Sequence, residues 1–140
     1  MMTKSGLRAL FAVGAFSFGI AAAVPAGAEA PFGCACLHND TKVVVKFRYK
    51  WGDGQWTSDY LRAGYQETLC WRYTGGSASS PPLGFQIDVD LTNGAAWTTY
   101  NLPRGQSQTN KCDAVPRQFH YDISYRPNTN NQFVQMTHRK

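Results

Sequence analysis

The 140 residues carry 14 Lys or Arg against 9 Asp or Glu, a formal net charge of +5, and 43% of them are hydrophobic. That length suits one domain and is short for two, and the hydrophobic share excludes a disordered chain. The basic excess is mild and scattered, which excludes the clustered basicity of a nucleic-acid binder.

Lys4 and Arg8 precede an apolar run from Ala9 to Val24, and Pro25-Ala26-Gly27-Ala28 follows with small residues at both positions a signal peptidase reads. This predicts a signal peptide over residues 1–28, cleaved after Ala28. Cleavage after Ala30 would leave Pro31 first in the mature chain, which the peptidase disfavours. The apolar run is shorter than the roughly 20 residues of a comfortable span, so no transmembrane segment is expected in the mature form. Cys34 lies too far downstream for a lipoprotein. The expectation is a bacterial periplasmic or secreted protein, with Glu29–Lys140 as a single domain of 112 of the 140 residues. Without Lys4 and Arg8, 12 basic residues face 9 acidic ones, a net +3.

Cys34, Cys36, Cys70 and Cys112 all fall in the mature part, where an oxidising compartment makes two disulfides the default. A Cys34–Cys36 bridge would close a very tight ring, so each is expected to reach a distant partner, one taking Cys70 and the other Cys112. Bridges that enclose tens of residues stabilise by roughly 4 kcal/mol each in the chain-entropy model.

From Thr41 to Tyr49 the chain alternates, with Val43, Val45, Phe47 and Tyr49 on one face and Lys42, Lys46 and Arg48 on the other, as in a half-buried strand. Gly52-Asp53-Gly54 supplies a tight turn into a second strand, Gln55 to Leu61, and Ala63-Gly64 breaks it. A third strand runs from Gln66 to Tyr73. The small-residue stretch from Gly75 to Pro82 reads as a connection. Phe85, Ile87, Val89 and Leu91 then form the clearest inward face of the chain, with Asp88 and Asp90 outward. Asn93-Gly94 predicts a two-residue hairpin turn, and its returning strand, Ala96 to Leu102, places Tyr100 and Leu102 inside and Trp97 outside. Pro103 to Pro116 reads as a long loop pinned by Cys112. A last hairpin sets Phe119, Tyr121, Ile123 and Tyr125 on one face, turns over Pro127 to Asn131, and returns from Phe133 to His138. No helix of useful length and no internal repeat is visible. The expected fold is all-β, a small antiparallel β-sandwich of about seven strands, stapled by disulfides.

Candidate chemistry is sparse. Cys34-Ala35-Cys36 with His38 has soft ligands for zinc or copper, but no second cluster has metal spacing and the compartment favours oxidation, so no metal and no cofactor is expected. Asp88 and Asp90 would lie about 6.5 to 7 Å apart along a strand, near the carboxylate separation of inverting glycosidases or suited to a cation. The plainer reading is a solvated face meeting the Lys42, Lys46 and Arg48 stripe of a neighbour. His120, Asp122 and Ser124 name the parts of a hydrolase triad, yet His120 and Ser124 on one strand are about 13 Å apart, beyond any hydrogen bond. The remaining signal is aromatic. Trp97 points outward by strand phase, and Trp56 and Tyr60 share one side of a short strand, which suits a surface for carbohydrate or protein. The reading is a non-enzymatic, exported binding or interaction module for an envelope or extracellular ligand. Its rivals are a small secreted hydrolase using Asp88 and Asp90, and a membrane-active β protein.

Four cysteines in two bridges leave no reactive remainder. Alkylation of the exported protein without reductant should therefore label no cysteine by mass spectrometry, whereas joint labelling of Cys34 and Cys36 would revive a thiolate metal site.

Overall fold

The computed structural model describes residues 30–139, so the expected signal peptide, residues 1–28, lies outside the described residues. Among these, nine strands follow in chain order: β1 (Phe32–Asn39), β2 (Val45–Trp51), β3 (Thr57–Leu61), β4 (Gln66–Arg72), β5 (Leu83–Asp88), β6 (Trp97–Thr99), β7 (Gly105–Ser107), β8 (His120–Tyr125) and β9 (Val134–His138), with 3-10 turns at Cys112–Ala114 and Arg117–Phe119. They make two sheets. One has the order β9-β8-β1-β4 with β7 also paired to β1, and the other has the order β3-β2-β5-β6. Their inner faces share one core, Ala35, Leu37, Leu69, Tyr121, Ile123 and Val134 from the first sheet against Val45, Phe47, Leu61, Phe85 and Ile87 from the second. The molecule is thus a small disulfide-stapled β-sandwich. All pairings are antiparallel but one: β8 runs parallel to β1, with His120 opposite Cys36 and Ile123 opposite Asn39.

The alternation read from the sequence sets the inward faces of β2, β5 and β8. Val45 and Phe47, Phe85 and Ile87, and Tyr121 and Ile123 are all buried, each large side chain contributing roughly 1.5–3 kcal/mol of transfer free energy. The turns carry the required chemistry. Gly52 has φ +56° at the turn after β2, and Asn128, Asn130 and Asn131 take positive φ between β8 and β9, where asparagine tolerates the left-handed region better than most residues.

The structure departs from the sequence expectations at five places. β1 is not signalled by any alternation, because both of its faces are covered: Cys34, Ala35, Cys36 and Leu37 have no exposed surface. The Pro103–Pro116 segment is not wholly loop, since β7 pairs Gly105 with Cys34 and Ser107 with Phe32. Val43, expected inside, is 39% exposed, because β2 begins only at Val45. The residues before it are shaped by buried Asn39, whose Nδ2 donates to the Val43 and Leu61 carbonyls and whose Oδ1 accepts from the Thr41 amide and hydroxyl. β5 ends at Asp88, and the chain from Val89 to Leu91 crosses to the other sheet, bonding Val134 and Gln132 on the approach to β9. Finally, Asn93-Gly94 is not a two-residue hairpin turn. Asp88 pairs with Trp97, so the connection is wide. The pairing differs from the expected one by two residues, an even step, and the phase of Trp97 is therefore unchanged.

Both disulfides reach distant partners, Cys34 to Cys70 and Cys36 to Cys112, and no cysteine is free among the described residues. Such bridges belong to oxidising compartments. Among the described residues no helix is long and apolar enough to cross a membrane.

Glycine contacts give a test of this packing. A β-carbon on Gly105 would run into the Phe119 ring, whereas one on Gly94 would meet nothing within 4 Å. Gly105→Ala should cost about 1–3 kcal/mol in urea denaturation, the usual penalty of overpacking, and Gly94→Ala less than about 0.5 kcal/mol. The reverse order would misplace β7.

Candidate functional site

The outer face of the four-stranded sheet collects the three aromatic residues singled out in the sequence. Lys46 and Arg48 alternate outward on β2, and β3 and β5 lie on either side of it, with Lys46 opposite Tyr60 and Arg48 opposite both Ser58 and Gln86. β6 then brings Trp97 to the same face, opposite Asp88. Trp56, just before β3, lies over Gly84, where a β-carbon would sit 3.3 Å from the indole. The missing side chain at Gly84 makes room for that ring.

The rings and cations interleave. The Lys46 ammonium is 5.7 Å from the centres of both the Tyr60 and Trp97 rings. The Arg48 guanidinium lies 4.3 Å from Trp97 and 4.6 Å from Trp56, and Lys50 lies 5.0 Å from Trp56. The resulting row is Tyr60, Lys46, Trp97, Arg48, Trp56, Lys50. Arg48 is held further by Nε, which donates to Gln86 Oε1 at 2.7 Å, while Gln86 Nε2 donates to the Thr99 hydroxyl. No ion pair reaches Lys46, Arg48 or Lys50 among the described residues. Each cation–ring contact at an exposed site is worth about 0.5–1 kcal/mol. Together they hold three half-buried cations on the outer face of the sheet.

Asp88 and Asp90 do not share in this row as a stripe of partners for lysine and arginine. Asp88 Oδ1 accepts from the Ala96 amide at 2.9 Å, and Asp90 Oδ1 accepts from the Thr92 amide, the Thr92 hydroxyl and the Asn93 amide. Both carboxylates organise the wide connection between β5 and β6. Those bonds, from Thr92 first, hold the Asp90 carboxyl below its ordinary value, the opposite of what a general acid needs.

On the far side of the molecule, the outer face of the five-stranded sheet brings His38 and His120 together. His38 Nε2 and His120 Nδ1 are 2.9 Å apart, and Cys36 Sγ lies 3.3 Å from His38 Nε2. Cys36 is oxidised, so its sulfur is no thiolate. Burial holds the His38 ring below its ordinary pKa, helped by the charges of Arg139 and His120 and opposed by Asp122 and Asp40. Asp122 accepts from Arg139 at 2.6 Å, so His120, Asp122 and Ser124 are not linked as a triad; His120 is bonded to His38 and to the Val115 carbonyl instead.

Three features of these surfaces were not assigned from the sequence. The basic stripe of β2 was legible, but its partners are rings and not acids, a difference decided by which strand lies beside β2. The His38–His120 pairing depends on the parallel contact of β8 with β1, which no local pattern reveals. Glu67 is the third. It lies opposite Leu37 on β4 and lines a cavity of about 460 Å³. Its carboxyl is raised above the ordinary value by burial and then by the charge of Asp59.

Because the fold favours neutral Glu67, its contribution to stability is complete below the unfolded value near 4.5 and is lost as pH rises through the raised folded value. Glu67→Gln should therefore raise Tm at pH 7, and the gain should shrink toward zero at pH 4. A gain equal at both pH values would show that its ionisation is not the cause.

No protein-family model matches the chain, and neither does any curated protein or solved structure.

Proposed function

We propose that this chain is an exported, non-catalytic binding module, released from a signal peptide over residues 1–28, whose ligand is an anionic glycan held along the outer face of the four-stranded sheet. The observation that carries the reading is the row of Tyr60, Lys46, Trp97, Arg48, Trp56 and Lys50. Each ring borders at least one cation, so the row offers a ligand N–H and N⁺–H donors beside its rings. A surface of donors without paired carboxylates is complementary to carboxylate, sulfate or phosphate groups. From Lys46 to Lys50 it extends about 13 Å along β2, a length that suits an extended polymer. The two disulfides fit an oxidising extracytoplasmic location.

The rings serve to fix the cations. A free lysine or arginine side chain loses about 2 kcal/mol of rotamer freedom when it is immobilised on a ligand, and a side chain already held between rings has less to lose. Arg48, gripped by two indoles and Gln86, is the most constrained of the three.

Affinity electrophoresis with polygalacturonate as an acidic probe and dextran as a neutral one tests this reading. The wild-type chain should be retarded by the acidic polymer alone, and less so as salt rises. Arg48→Ala and Trp97→Ala should each weaken retardation about tenfold or more, the equivalent of about 1.4 kcal/mol, with little change in Tm. Equal retardation by dextran, or retardation indifferent to Arg48, overturns it. Loss of several kcal/mol of stability in Trp97→Ala would make that indole a packing residue.

A further inference from the structure

His38 and His120 meet in a geometry that a pair of surface histidines has no need of. β8 lies beside β1 with His120 opposite Cys36 and Asp122 opposite His38, so the two imidazoles stand diagonally on one face of the sheet. His120 Nε2 lies 2.9 Å from the Val115 carbonyl oxygen. A carbonyl only accepts, so Nε2 of His120 carries a proton, and in the neutral ring Nδ1 is a bare lone pair. That lone pair faces His38 Nε2 at 2.9 Å. The ring centres are 5.1 Å apart and the planes differ by 21°, close to the nitrogen–nitrogen distance plus the two ring radii. The rings therefore meet edge to edge, with one proton between two nitrogens.

We propose that this pair is a transition-metal site, in which a borderline divalent ion such as Zn²⁺ or Cu²⁺ replaces the shared proton and is bound by His38 Nε2 and His120 Nδ1, with water completing its shell. Nitrogens bound at about 2.0–2.1 Å to a tetrahedral ion are about 3.3 Å apart, so the nitrogens need to part by only a few tenths of an ångström, while each ring turns by about 35° so that the two lone pairs, now along one line, converge on the ion. The His38 proton moves from Nε2 to Nδ1 through solvent, and both rings stay neutral, as metal ligation requires.

Three further observations fit. A histidine that binds metal through one nitrogen ordinarily donates its other N–H to a carbonyl or carboxylate, which orients the ring; Val115 already does this for His120. The Val115 amide in turn bonds the Cys112 carbonyl, and Cys112 is tied to Cys36 on β1. The disulfide thus acts as a brace for the carbonyl that fixes the His120 tautomer, and its sulfur is not counted as a ligand. An open cavity of about 520 Å³, lined by His38, Asp40, Gly64, Tyr65, Gln66 and Arg139, gives a hydrated ion access to His38. Finally, Arg139, the largest charge acting on His38 and one that opposes a cation there, is 2.6 Å from Asp122 and 3.9 Å from Asp40, so these two carboxylates offset part of its repulsion. The site lies on the opposite sheet from the aromatic and cationic row and is independent of it.

The test uses the oxidised protein with both disulfides intact, stripped with chelator and titrated with Zn²⁺ and Cu²⁺ by calorimetry, with imidazole resonances followed by NMR. One ion should bind per chain and shift the resonances of His38 and His120. His38→Ala and His120→Ala should each weaken binding at least tenfold, while His138→Ala, whose ring packs on Tyr121, should leave it within twofold. If His120→Ala disturbs the Val115 turn, His38→Ala carries the result, since its ring bonds no backbone group among the described residues. Failure of both ions to bind, or binding that persists undiminished in His38→Ala, overturns the proposal.

Discussion

Cys34 and Cys36 stand two residues apart on β1 and point to one face, while Ala35 and Leu37 point to the other, and none of the four retains exposed surface. A strand buried on both faces needs a layer on each side. The second sheet covers the Ala35 and Leu37 side. The other side is covered by the chain between β7 and β8, which folds back over the sheet and packs Cys112 and Val115 against Cys34 and Cys36, with Phe32, Cys70 and Phe119 around them. This second small core would be too thin to hold by apolar burial alone, and the two bridges make it covalent. By the chain-entropy relation, loops of 36 and 76 residues are worth about 4 kcal/mol each, comparable to much of the net stability of a domain this size.

The same arrangement explains the one parallel pairing. β7 takes the first half of one edge of β1 in antiparallel register, from Phe32 to Cys34, and β8 takes the second half, from Cys36 to Asn39. Between them the chain must reverse, and the reversal is the segment that carries Cys112 and Val115. One covering loop therefore closes the second core, orders two strands on one edge, and supplies the carbonyl that orients His120. Asn39, at the end of β1, closes the remaining gap by using both of its amide hydrogens and its oxygen on neighbouring chain.

How far the sequence discloses this depends on whether a strand has one wet face. β2, β5 and β8 have one, and their alternation gives the inward residues within each strand, Val45 and Phe47, Phe85 and Ile87, and Tyr121 and Ile123, though not Val43, which lies before β2 begins. β1 has none. Phe-Gly-Cys-Ala-Cys-Leu-His-Asn shows no alternation of polar and apolar residues, and the most central strand of its sheet is the one that local pattern conceals. β7 is three residues long and below the reach of any periodicity. Asn93-Gly94 misleads for another reason: the Val89 amide still bonds Ala96 across the hairpin, but the Val89 carbonyl and the Leu91 amide turn to Val134 and Gln132 at the start of β9. Of the aromatic candidates, Trp97 was legible from phase because the pairing of β5 with β6 shifts by an even number of residues, and Trp56 and Tyr60 because they stand four residues apart on one side of the chain at β3. Their cationic partners were visible as a stripe but not as neighbours, since strand order is a tertiary fact.

The two outer faces of the sandwich solve opposite problems. The five-stranded sheet covers the Cys34 and Cys36 part of its outer face with a loop. The four-stranded sheet leaves its outer face uncovered by other chain, although it carries Trp56, Trp97 and Tyr60, and an uninterrupted aromatic strip there would be an adhesive patch on a small domain. Interleaving Lys46, Arg48 and Lys50 breaks the strip into single rings, each bordered by charge, and so keeps the face wet. The same interleaving removes the ring faces from ordinary hydrophobic contact and raises the positive potential along β2, with no carboxylate paired to it among the described residues. Solubility alone would be met by any charged residues on this face, including acids beside the lysines. The absence of paired acids among the described residues, and the fixing of Arg48 by two indoles and Gln86, go beyond what solvation of the face requires.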